Sequence, residues 1–154
     1  KALHTPGHAS HHIAWVFNDV VFTGDVAGAK IQNGPVLPAC PPPDIDLEKW
    51  EDSLKILEKE NPKKIYLTHF GEHINIKSHI DELRLALSDW SSWINEKRKI
   101  FLDDEILTKK FNEYVYKKMQ AAKINDELIN QYYAANPPYM SVAGLKRYWE
   151  KNDK

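Results

Sequence analysis

"HTPGHASHH", residues 4–12, carries four of the seven histidines of a 154-residue chain. Pro6-Gly7 makes a tight turn that presents the His8 imidazole outward. On the far side of the stretch, "HIAWVF" (12–17) alternates and puts Ile13, Trp15 and Phe17 on one side of a strand. Asn18-Asp19 suits a two-residue hairpin turn, because both residues tolerate positive φ. "VVFTG" (20–24) is the returning strand. The histidine turn therefore sits inside a β-rich opening segment.

The composition narrows the class of protein. Hydrophobic residues make up 42% and charged residues 28%, which supports one globular unit with its own core. A formal net charge of -1 offers no electrostatic case for nucleic acid or for an anionic membrane. From Lys99 to Lys154, ten basic residues face eight acidic ones, too even a balance for a nucleic-acid surface. The longest apolar run, "IAWVF", is too short to span a bilayer. Cys40 is the only cysteine, so an internal disulfide is excluded and a reducing, cytoplasmic setting is expected.

Further along, residues 31–46 hold Gly34, Pro35, Pro38 and Pro41-Pro42-Pro43, which predict an ordered loop or an extended linker without ladder pairing. Leu47, Trp50, Leu54 and Leu57 repeat at helical spacing, with Asp46 as N-cap and Asn61-Pro62 as the stop. "KKIYLT" (63–68) is a short strand that delivers His69. A second helix is expected from about Ser78, with Ser78 and Asp81 as a capping box and Ile80, Leu83, Leu87, Trp90 and Ile94 as its stripe. From about residue 103 every segment reads as helix. Asn136-Pro137-Pro138 precedes the last one, which carries Val142, Leu145 and Trp149. The division is a β-containing part, 1–98, and a helical extension, 99–154. The extension's aromatic residues are expected in its core, with a lid or dimer surface as the sharper alternative.

His8, Asp25 and His69 each fall at or just after a predicted strand end. Imidazole and carboxylate are ligands for zinc, and equally for iron or manganese. Gly24 before Asp25 allows close backbone approach.

"HTPGHASHH", "FTGD" and "LTHFG", in this order over residues 3–71, resemble the later motifs of the metallo-β-lactamase-fold hydrolases. The resemblance implies an α/β fold: the C-terminal half of an αββα sandwich, followed here by a helical tail. It implies His8 as terminal ligand of one metal, Asp25 as the bridging and catalytically important carboxylate, and His69 as terminal ligand of a second metal. Two zinc ions per complete site are expected, with iron or manganese also compatible. His4, His12 and His73 are candidates for supporting roles around the ligands, and residues 26–46 for a wall of the substrate pocket. The family's first motif, H-x-H-x-D-H, is missing from these residues. The expectation is therefore a piece that begins just before the His8 turn and needs a complementary N-terminal half. By this reading the whole protein hydrolyses a small-molecule ester, thioester, lactone or phosphoester. The alternative is a non-catalytic half-domain that works with a partner or as a homo-oligomer. The sheet face carrying Ile13, Trp15 and Phe17, and the helix face carrying Trp50 and Leu54, are expected to lose part of their cover in the chain alone.

Overall fold

Asn18 turns the chain with a φ of 53°, and the two alternating runs on either side of it pair antiparallel. They are β2 (Ile13–Phe17) and β3 (Val20–Gly24), and β1 (Ala2–His4) adds to the free side of β2. This computed structural model describes residues 1–101 and 103–153; Leu102 and Lys154 of the predicted extension lie outside the described residues. After β3 comes a 3₁₀ turn (Asp25–Ala27), the proline-rich loop, and α1 (Leu47–Glu60). The crossover returns β4 (Lys64–Leu67) parallel to β3, the pairing that needs a long connection. β5 (Gly71–His73) closes a short hairpin on β4, giving the sheet order β1-β2-β3-β4-β5. Then follow α2 (Ile76–Lys97), α3 (Asp104–Ala121), α4 (Asp126–Ala135) and α5 (Pro138–Asn152).

The two sheet faces differ sharply. Leu3, Ala14, Val21, Ile65 and Leu67 point to the inner face and share one core with Trp50, Leu54, Leu57, Ile80 and Leu83 of the helices. Ile13, Trp15, Phe17 and Phe22 point the other way and are exposed. Phe22 stacks on Tyr66 there, with ring centroids 5.4 Å apart. The unit is thus two layers, helices on one face of a sheet, with an aromatic outer face. Trp50 and Leu54 depart from expectation: both are fully buried, because the loop and the sheet close over α1.

Local signals explain most helix ends. The Asp46 side chain accepts the Lys49 amide at 2.9 Å, and Asn61, left-handed at φ 46°, ends α1 before Pro62. Asp103 and Asn125 cap α3 and α4 in the same way. The second helix begins at Ile76 rather than near Ser78, and no Ser78–Asp81 box forms. Asp81 is drawn instead to Lys77 at 2.9 Å and to Arg84 at 3.4 Å.

The extension shares this core. Phe111 lies edge-on to Trp90 at 5.0 Å, and Leu107, Val115, Ile129, Tyr132, Val142 and Leu145 join the same buried cluster.

Candidate metal centre

The sheet delivers the three candidate ligands from three places. His8 sits in the turn between β1 and β2. Asp25 follows a register shift between Phe22 and Gly24 on β3, the kind of irregularity that re-aims a side chain. His69 occupies the tight loop between β4 and β5.

α1 fastens the first two. Ser53 Oγ donates to Pro6 O at 2.6 Å, and the Asp46 amide donates to Gly7 O at 3.0 Å. Trp50 Nε1 donates to Val26 O at 2.7 Å, pinning the turn that begins with Asp25. The Trp50 ring also meets His8 edge-on at 5.8 Å. Gly24 has φ 57°, and a Cβ there would lie 2.4 Å from His12 Nε2. Only glycine leaves room for that imidazole.

The result is one carboxylate between two imidazoles. His8 Nε2 lies 3.7 Å from Asp25 Oδ2, and His69 Nε2 lies 3.4 Å from Asp25 Oδ1. Asp25 Oδ1 is buried and has no hydrogen-bond partner among the described residues. His8 Nδ1 donates to the Ala39 carbonyl at 2.7 Å, since a carbonyl can only accept. In the neutral ring this leaves the Nε2 lone pair directed at the site.

These separations fit a cation. Two ligand atoms on one tetrahedral zinc, each bonded at about 2.1 Å, stand about 3.4 Å apart. Each histidine shares a different oxygen of Asp25, so the arrangement suits two cations bridged by one carboxylate. Among the described residues no three ligating side chains gather around one point, so a cation at either oxygen of Asp25 would find two donors here.

The other candidates lie differently. His12 Nδ1 bonds Thr5 Oγ1 at 2.8 Å, and its Nε2 accepts the Asp25 amide at 3.1 Å. Both nitrogens are used, so His12 holds the backbone under Asp25. Burial, and then the nearby His8, lower its pKa and favour the neutral ring this bond requires. His4 Nε2 bonds Ser10 O at 2.9 Å within the turn. His73 packs its ring on His79 at 5.1 Å. His79, to which the sequence assigns no role, is buried and donates from Nε2 to Ala27 O at 2.8 Å, bracing the Asp25 turn from α2. Its burial is visible in the sequence as one position before the Ile80 stripe, but its partner is a backbone atom.

The fold and this three-point site define a metallo-β-lactamase-like unit. Residues 1–69 match the model of the metallo-beta-lactamase superfamily. A metallo-beta-lactamase fold-containing protein, ST1585 of Sulfurisphaera tokodaii, is 42% identical over 95 residues, which are 62% of this chain and 35% of that protein. Its crystal structure, described as that of an archaeal metallo-beta-lactamase superfamily protein from Sulfolobus tokodaii, aligns at 37% identity. It covers 53% of this chain and 32% of that one, with a TM-score of 0.47. The metallo-beta-lactamase family protein TTHA1429 from Thermus thermophilus aligns over 99% of this chain and 44% of its own, at 16% identity and a TM-score of 0.55. That second likeness speaks to fold alone, helical tail included. The chain spans 32–44% of the length of these relatives. Among the described residues no helix is long and apolar enough to cross a membrane.

Proposed function

We propose that the chain forms one wall of a binuclear metal site in a hydrolase, with His8 on one metal, His69 on the other and Asp25 on both. The observation that carries this reading is the pair of distances from the two Asp25 oxygens to two different histidines, 3.7 and 3.4 Å. Zinc suits the donors best, and iron or manganese also accept them. A zinc ion wants about four ligands, and a catalytic one about three from protein, so a segment of the H-x-H-x-D-H type must complete the site. Such a metal pair, when bound, supplies hydroxide at neutral pH from a water whose pKa falls to about 7. This chain's part is to orient and to exclude. Asp25 sets the direction of the nucleophile and balances positive charge, His12 and His79 keep its backbone still, and the loop 26–46 walls the pocket. Small esters, thioesters, lactones and phosphoesters are the substrate classes that such a nucleophile attacks.

The aromatic outer face of the sheet favours a second layer, either a complementary half carrying the missing motif or another copy of the chain. A half-domain that only binds such a partner is the second reading, and the same face supports it. Hydrolysis assays on a panel of those four substrate classes, with the chain alone and with a polypeptide carrying H-x-H-x-D-H, decide between them. Turnover only in the second case, lost in Asp25→Ala, is expected. A folded, metal-loaded complex inactive on the whole panel would remove the catalytic reading.

A further inference from the structure

We propose that the helical tail positions His8. Three consecutive loop residues carry the connection. Pro38 O accepts Asn136 Nδ2 of the tail at 2.7 Å, Ala39 O accepts His8 Nδ1 at 2.7 Å, and the Cys40 carbonyl lies flat against Gly144 of α5. The carbonyl that orients the imidazole is therefore set between two residues gripped by the tail.

The grip is close and repeated. A Cβ added at Gly144 would fall 2.0 Å from Cys40 O, so α5 approaches the loop as only a glycine permits. Tyr132 OH donates to Pro35 O at 2.6 Å and accepts the Ile31 amide at 2.9 Å. Arg147 Nε and Lys151 Nζ both donate to Pro43 O, at 3.3 and 3.2 Å. The loop has little of its own to hold it. Among the described residues its ladder bonding is the Ala29–Leu37 bridge, and its prolines lack the amide donors that would make more. A ligand histidine's second nitrogen fixes which ring atom faces the metal, so moving its acceptor alters affinity without removing a ligand.

This inference rests on His8 being a ligand, and the test separates the two claims. The metal-free 154-residue chain is measured by two-dimensional ¹⁵N–¹H spectroscopy of its histidine side chains, at a pH above the imidazole range. His8 should carry its proton on Nδ1. Asn136→Asp keeps the shape but replaces the amide donor to Pro38 O with a carboxylate that can only accept, and Gly144→Ala wedges the loop from α5. Both should raise the Nε2–H form of His8 severalfold, whereas Lys117→Ala, at an exposed position of α3, should not. Zinc alone, titrated against the His8 resonances, should bind roughly tenfold or more weakly in the two tail variants. If Gly144→Ala does not fold, the isosteric Asn136→Asp carries the measurement. Folded variants with His8 unchanged would overturn the proposal. A shifted tautomer in a chain whose His8 resonances ignore zinc would keep the tail's grip and overturn the ligand role.

Discussion

His12 Nε2 accepts the backbone amide of Asp25 at 3.1 Å, so this imidazole works on the main chain of Asp25 and leaves its carboxylate oxygens to His8 and His69. Asp25→Ala should therefore abolish zinc binding by the chain, and His12→Ala should only weaken it. Isothermal titration of both variants at neutral pH checks this. An equal or larger loss at His12 would reverse the two roles. The parent chain itself should bind zinc weakly, since two donors per metal leave the remaining positions to water. Tight binding of two ions per chain would contradict that count.

Gly24→Ala should be costly for two reasons at once. The residue sits at φ 57°, and the new methyl would meet His12 Nε2 at 2.4 Å. Left-handed strain in a non-glycine residue costs about 1–3 kcal/mol before any clash is relieved. Chemical denaturation should show a loss of at least that order. Near-wild-type stability would mean that the bulge before Asp25 relaxes freely.

Stability should fall with acid through His79. Burial, opposed in part by the bond to Ala27, pushes its pKa from 6.5 down to about 4. The unfolded chain then binds a proton that the folded chain refuses, between about pH 6.5 and 4. The contribution of the neutral ring is complete above 6.5 and drains away as pH falls toward 4, amounting to something on the order of 3 kcal/mol. His79→Gln, which retains an N–H donor for Ala27, should flatten the pH dependence of the unfolding free energy in that window. An unchanged slope would locate the acid sensitivity elsewhere.

Much of this architecture is legible in the sequence. The Asn18-Asp19 turn, the Asp46 cap and the three tail helices follow from local rules, because a turn or a cap is decided within a few residues. The residue types at positions 8, 25 and 69 name a metal chemistry. What no local rule reveals is which backbone atoms hold them. Ala39 O, Val26 O and Ala27 O are carbonyls like any other until His8, Trp50 and His79 arrive from elsewhere in the chain. The start of α2 escapes for a related reason: Asp81 is held by Lys77 and Arg84 rather than by the helix terminus. Trp50 reads as an ordinary stripe residue, yet its indole donor is what ties α1 to the Asp25 turn.

The outer sheet face predicts association. Trp15 and Phe17 are 58% and 69% exposed, and with Phe22 and Ile13 they form a contiguous apolar surface of the kind that seeks cover. The chain alone should self-associate at micromolar concentration in sedimentation velocity. Trp15→Lys with Phe17→Lys should return it to a monomer with its helical content intact. A monodisperse wild-type monomer would show that the face tolerates water.

The bond between the Ile31 amide and the Tyr132 hydroxyl closes a loop of 101 residues. In folding terms this is a high-contact-order closure, and the parallel β3–β4 pairing adds another nonlocal one, so the loop belongs to the slow part of the landscape. On a ribosome adding about 5–20 residues per second, about 5–20 s separate the synthesis of the two partners. For much of that interval α2 is already present beside Val36 and Leu37, but Cys40 lacks the α5 helix that packs on it, and Ala39 has no fixed position from which to hold His8. The nascent chain thus exposes an apolar segment beside a cluster of histidines before the tail exists, a period in which a holding chaperone, or premature capture of a metal by the wrong donors, would decide the yield of correctly assembled protein.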